Sequence, residues 1–227
     1  MTISEMHIAF KLELDKSSAL ELPSFESEEI DFWLNAAIKS FVKTRYLNFE
    51  QVARRTMDLS ELVEEETLAV VADTIKDNSF TANLALCSED LWFIVGEEVT
   101  ISYTKLGDTL ASTKRQGVTQ CTVDTYRSHI DDPHSEHILH YEEAKPLRLV
   151  YQRLVELITD GNYDVTNYYV RYIRKPIEVS GTAPLVNCDL SEHTHDEIVK
   201  LTANMVLENI EQPRYQSHTV ELNKLNN

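Results

Sequence analysis

Apolar residues recur at helical spacing near both ends of the chain and in alternation or short runs between them. Ile3, Met6, Phe10 and Leu14 lie three or four apart, which predicts a helix over 3–14. A polar loop follows over 17–27 and contains Pro23. Ser27 and the two glutamates after it suit a helix start. A serine oxygen can accept from an orphan amide, and early carboxylates face the positive end of the helix dipole. Ile30, Trp33, Leu34, Ala37, Ile38, Phe41, Val42 and Arg45 then trace one face, with Asp31, Asn35, Lys39 and Lys43 opposite. A shorter helix is expected over 49–62, through Val52, Met57 and Leu59.

After Glu66 the spacing shortens to alternation and aromatic-rich runs, which predicts strands at 68–72, 91–95, 99–104 and 118–128. Gly96-Glu97-Glu98 reads as a turn between two of them, and 105–117 as a long polar loop. The charged stretch 129–145 contains Pro133 and reads as a loop. Two long runs, 147–158 and 165–179, flank Asp160-Gly161-Asn162, whose residues favour positive φ. That pattern predicts a long β-hairpin over 147–179, with Tyr168, Val170 and Tyr172 on one side and Tyr169, Arg171 and Ile173 on the other. A last helix is expected after Pro184, capped by Asp189 with Glu192 or by Ser191. Its stripe is Ile198, Val199, Leu201, Met205, Val206 and Ile210, and Pro213 stops it.

The expected fold class is α+β. The helices of 1–62 and 185–215 form one layer, 63–184 is a strand-rich insertion, and 216–227 is an extended tail. No apolar run is long enough to span a membrane, and the first residues lack the basic start and apolar core of a secretory signal. Cys87, Cys121 and Cys188 are far apart, form no CxxC pair and read as idle thiols in a reducing compartment.

Charge changes the picture more than composition does. Lys and Arg total 21 against 38 Asp and Glu, a net charge of −17. Such a surface repels a nucleic-acid backbone. It suits a protein that DNA passes without sticking, as it suits any solvated protein.

Candidate chemistry is sparse. The five glycines are too scattered for GxGxxG or a P-loop, and no GxSxG occurs. His129, His134, His137 and His140 stand among Asp131, Asp132 and Glu136, with i,i+3 pairs that resemble ligand spacing for zinc or nickel. Pro133 and the absence of HExxH favour a solvated loop or a pH-sensitive contact surface over a metal site. His193 and His195 are two apart and would point to different faces of a helix. Tyr168, Tyr169, Arg171, Tyr172, Arg174 and Lys175 form a basic aromatic stripe that resembles a nucleic-acid face. In so acidic a chain it reads better as an arm that contacts an acidic neighbour.

Several segments also resemble structural proteins of tailed phages, the crAss-like group above all. These are the opening 3–16, the run Glu28-Glu-Ile-Asp-Phe-Trp-Leu-Asn-Ala-Ala37 with 41–46, Tyr172-Ile-Arg-Lys-Pro176, Cys188, His195-Asp-Glu-Ile-Val199 and Glu211-Gln-Pro-Arg214. The middle, about 63–145, carries no such likeness. The resemblance implies a virion protein at the head–tail junction, built in the host cytoplasm. It would form a homo-oligomeric, often twelve-fold ring against the portal and neighbouring tail or ring proteins. DNA would be passing cargo only, with no membrane, cofactor, metal or catalytic residue. Two alternatives stand beside it: another virion component in the tail or on the capsid, and a metal-dependent hydrolase using the 129–140 histidines.

Overall fold

The computed structural model describes residues 1–17, 24–47, 57–74, 76–105, 109–139 and 143–210. Among them are the helices α1 (Ile3–Ser17), α2 (Ser27–Tyr46), α3 (Val123–Asp131) and α4 (His195–Asn209). The strands are β1 (Val63–Ala72), β2 (Ser79–Asn83), β3 (Leu91–Thr104), β4 (Ala111–Gly117), β5 (Thr119–Gln120), β6 (Leu147–Tyr151), β7 (Leu154–Ile158) and β8 (Asp164–Arg174). The class is α+β, with helices toward both termini and a strand-rich middle. The chain divides into two compact units: Met1–Leu62 with the chain from Lys175 onward, and Val63–Arg174.

In the helical unit, α1 and α2 both pack on α4. From α1 Ile3, Met6, Phe10 and Leu14, and from α2 Ile30, Leu34, Ala37, Ile38, Phe41 and Val42, are buried as the spacing predicts. Of the stripe expected for α4, Ile198, Val199 and Val206 are buried, but Leu201, Met205 and Ile210 are only half-buried, and Ala203 and Leu207 are buried instead. Ser27 is the first residue of α2 rather than its cap. Glu26 precedes the helix, and the Glu29 carboxylate reaches back to accept from the Glu26 N–H at 3.0 Å. Most of the expected helix over 49–62 lies outside the described residues.

Arg45 belongs to the apolar face of α2 for an electrostatic reason. Its guanidinium lies over the Phe41 ring, 4.9 Å from the centroid. It donates to both Glu197 carboxylate oxygens at 2.6 and 2.7 Å and stands 3.1 Å from Asp58. His193 approaches the other Asp58 oxygen at 2.9 Å. A buried charge is tolerated only with such partners.

The irregular chain before α4 is tied down by side chains that imitate backbone. Asn35 accepts from the Val179 N–H at 2.9 Å and donates to the Val179 carbonyl at 3.0 Å. Asp31 accepts from the Gly181 N–H and contacts His7 Nε2 at 2.8 Å. A Cβ at Gly181 would stand 2.5 Å from the His7 ring, so glycine permits this approach. Asp189, expected as a cap, instead accepts from the Ile177 N–H. A short 3-10 turn, Glu192–Thr194, leads into α4.

In the second unit the strands are ordered β4-β3-β8-β1-β2-β7-β6-β5. β1 pairs with β8 up to Ala69 and with β2 from Val70, so one strand serves both halves of the sheet. At the far ends of the order, β4 and β5 are separated in sequence by Val118 alone. The main core lines the inner face, with Val99, Ile101, Val155, Leu157, Val165, Tyr168, Val170 and Tyr172. A smaller cluster, Cys121, Leu147, Leu149 and Ile158, is covered by Tyr126 and Ile130 of α3.

Several expectations for this region are corrected. There is no hairpin over 147–179. β7 pairs with β2 and β6, whereas β8 pairs with β1 and β3. The local turn at 160–162 is present, with Gly161 at φ +86° and Asn162 N–H donating to Asp160. It carries the chain from one half of the sheet to the other. The actual hairpin lies inside the first run, β6 to β7, across Gln152 (φ +58°) and Arg153. Gly96 is not in a turn. β3 runs unbroken through it, with a register shift between Ile94 and Gly96 against β8. The expected loop 105–117 contains β4, and the expected strand 118–128 is β5 followed by α3.

Two buried carboxylates anchor polar networks, Glu97 between the two halves of the sheet and Glu156 within the half formed by β2, β7 and β6. Glu97 accepts from Arg148 Nε at 2.7 and 2.8 Å and also from Arg148 Nη2 and the Tyr168 hydroxyl. Its side chain is 2% exposed and that of Arg148 14%. Glu156 is 1% exposed and accepts from Lys76 at 2.7 Å, Ser79 at 2.9 Å and Tyr151 at 3.0 Å. Burial opposes its ionisation, but these donors outweigh burial and hold its carboxyl below the usual range.

Two predictions follow from these networks. Arg148→Met strands the Glu97 carboxylate and is expected to cost about 3–5 kcal/mol in urea denaturation, with Glu97→Gln/Arg148→Met costing less than that single change. Glu156 has a folded pKa below its unfolded value, so its contribution is full at neutral pH. It is lost as pH falls below the ordinary carboxylate value of 4.5 toward the lower folded one. The stability gap between wild type and Glu156→Gln should therefore narrow over that acid window, as read by thermal melts.

Candidate assembly surface

The alternation of β8 sorts the six residues of the basic aromatic stripe. Tyr168 and Tyr172 are fully buried. Their hydroxyls reach Glu97 and Glu66, and burial pushes the Tyr172 phenol up to about 12, with the Glu66 charge adding to it. Both tyrosines therefore serve the core. Tyr169 and Arg171 face the other way, Arg174 shares the parity of Tyr172 with a side chain only 13% exposed, and Lys175 is exposed just past the strand.

Those outward residues meet acidic neighbours within their own unit. The Arg115 guanidinium of β4 lies over the Tyr169 ring at 4.0 Å, and Thr100 donates to the Tyr169 hydroxyl at 3.2 Å. Arg171 donates to Glu65 of β1 at 2.9 Å, Arg115 stands 3.4 Å from Glu65 and pairs with Glu98, and Arg174 lies 3.7 Å from Glu64. The register places these partners together: Arg171 opposite Glu65, Tyr169 opposite Glu98, and Arg115 opposite Thr100. The outer sheet face thus carries a ladder of alternating sign made by Arg115, Glu98, Arg171 and Glu65, whereas Arg174 and Glu64 pair on the opposite face, where Glu64 stands opposite Tyr172. Arg171 and its neighbours hold the Glu65 carboxyl below its usual range. The sequence contains this signal only as scattered glutamates in β1 and β3, because strand pairing alone brings them beside the arginines.

Among the described residues, the histidine-rich stretch does not gather into a site. His137 is buried, 2.9 Å from the Ser135 hydroxyl, and burial pushes its pKa down. The Tyr163 hydroxyl donates to its carbonyl at 3.2 Å. His129 lies on α3, His134 is exposed in the following loop, and His140 is outside the described residues. Among the described residues, no three His, Cys, Asp or Glu side chains come together as metal ligands. Cys87, Cys121 and Cys188 are free thiols, and burial pushes that of Cys188 up to about 11. No described helix is long and apolar enough to cross a membrane.

The family model described as phage tail ring protein 3/4 matches residues 1–214. A curated relative, ring protein 4/5 of Bacteroides phage crAss001, is 23% identical over 224 residues, a match covering 88% of this chain and 90% of the relative.

The sorting of the stripe is testable by stability alone. Tyr168→Ala is expected to cost about 3–5 kcal/mol in urea denaturation, as buried aromatic truncations do. Arg171→Ala should leave the midpoint unchanged, because an exposed ion pair contributes little.

Proposed function

The chain belongs to the phage tail ring protein 3/4 family, and from that membership we propose that it builds a ring of the head–tail connector from copies of itself. The ring sits below the portal protein, in contact with neighbouring tail or ring proteins, and has twelve copies. DNA crosses its bore as cargo. The protein works by fit and charge, without catalysis.

The observation that carries this reading is the extent of the family match, which takes in both units of the fold. Charge supports the passage of DNA. Acidic residues exceed basic ones by 17 in the whole chain, and an acidic wall repels a phosphate backbone rather than retaining it. The outer sheet face supports contact between copies. A ladder of alternating sign can exchange partners with a like surface, and Tyr169 and Arg171, with Arg115 beside them, are its aromatic and basic members.

Cryo-electron microscopy of whole particles tests the placement. The expected result is a twelve-fold ring beneath the portal with a net acidic lumen. A chain traced elsewhere in the particle would overturn the connector assignment, and a basic or neutral lumen would overturn the account of DNA passage.

A further inference from the structure

A closed ring of identical subunits needs a heterologous contact, in which two different patches on each copy meet. The helical unit carries two such patches, and their charges are complementary. The first is on α1. This helix buries Ile3, Met6, Phe10 and Leu14, yet it also presents Ile8 and Leu12, which are 59% and 56% exposed. The two are one turn apart and so lie together on the helix surface. Lys11, three residues after Ile8, is exposed beside them and has no ion-pair partner among the described residues.

The second patch is on α2. Phe32 is 66% exposed, and the edge of an aromatic pair holds it in place: its ring and that of Trp33 meet at 5.4 Å and 80°. Glu28 stands one turn before Phe32 on the same face. It too is exposed and lacks an ion-pair partner among the described residues.

Single exposed apolar residues are ordinary on protein surfaces. Here an aliphatic stripe adjoins an exposed cation, and a braced phenyl ring adjoins an exposed anion. We propose that Phe32 of one copy seats on the Ile8–Leu12 stripe of the next, with Glu28 of the first copy facing Lys11 of the second. The inference rests on the ring reading above and names one of the contacts that reading requires. An apolar centre excludes water, and the flanking charges set orientation and reject the reversed arrangement. Where a pairing engages one patch of each copy, the other patch stays free and the contact propagates rather than stopping at a dimer.

Charge reversal tests the pairing. Lys11→Glu and Glu28→Lys, made singly in the full chain, should each weaken association about tenfold or more, and the double variant should recover most of the loss. Leu12→Asp should abolish assembly, while far-ultraviolet circular dichroism stays as in wild type because the side chain is exposed. Association is read by native mass spectrometry of the purified chain or, where assembly needs partner proteins, by copy number in particles. Rings that persist unchanged through both single reversals overturn this contact and leave the ring reading standing. Single variants that disrupt assembly without recovery in the double also overturn the pairing. A wild-type chain present as isolated single copies both in solution and in particles overturns the ring reading itself.

Discussion

Strand β8 is paired on both sides over most of its length, with β1 along one edge and β3 along the other. That constraint organises the second unit. A strand fixed on two edges cannot slip by one residue without turning its whole inner set outward. Tyr168, Val170 and Tyr172 are therefore committed to the core, and Tyr169 and Arg171 to the outside. The polar networks depend on the same register. Tyr168 reaches Glu97 of β3, and Glu97 in turn receives Arg148 from β6 in the other half of the sheet. The ladder on the outer face also follows from it, since Arg171 meets Glu65 only because those residues are paired. Both points where the chain enters and leaves this unit lie here as well, with Val63 opposite Ile173.

What the sequence revealed and what it concealed divide along the range of the forces involved. Helix faces were legible because their periodicity is local. Every α1 position expected to point inward is buried, and so are the α2 positions except Trp33, which is half-buried. Arg45 was legible as part of that face, but its partners Asp58 and Glu197 were not, since one lies beyond the helix and the other 152 residues away. Strand pairing is non-local, and there the reading failed in instructive ways. Asp160-Gly161-Asn162 does make a turn, but turn chemistry says nothing about which strands pair. β4, with the sequence Ala-Ser-Thr-Lys-Arg-Gln-Gly, has no apolar alternation because it ends the strand order and is fixed by its ladder to β3. Gly96 looked like a turn because glycine breaks strands, whereas here it sits at a register shift inside one. In 118–128, Val, Thr and Tyr suggested a strand. The reciprocal cap of Thr122 and Thr125 and the burial of Tyr126 and Ile130 against the small cluster made most of it α3.

The candidate surface shows the same limit. Along the sequence, Tyr168 to Lys175 looks like one basic aromatic arm set apart from an acidic chain. In the fold it splits by alternation, and its outward members, Tyr169 and Arg171, already stand among Glu65 and Glu98. The acidic surplus is correspondingly shared, for Asp and Glu outnumber Lys and Arg in both units. The separation of charges that suggests self-association from the sequence is therefore weaker in space than along the chain. A contact through this face would have to exchange intramolecular ion pairs for intermolecular ones, and such an exchange between exposed groups gains little affinity. Its value lies in orientation and selectivity.

This division also explains why the family is plainer in the sequence than the contacts are. The segments that carry the phage likeness coincide with α1, α2, the end of β8 and the start of α4. Within them, Ile3, Phe10, Ile30, Leu34, Tyr172 and Ile198 are buried, packing the helical unit or placing β8. Packing restricts such positions tightly, because even one methylene is felt in a close-packed interior. Exposed positions such as Ile8, Leu12, Phe32 and the β8 ladder are under no such restriction from the fold itself. If they are constrained at all, the constraint comes from what they touch in the assembly. The buried pattern thus specifies the fold, and contacts with other molecules fall to the groups that the fold leaves uncovered.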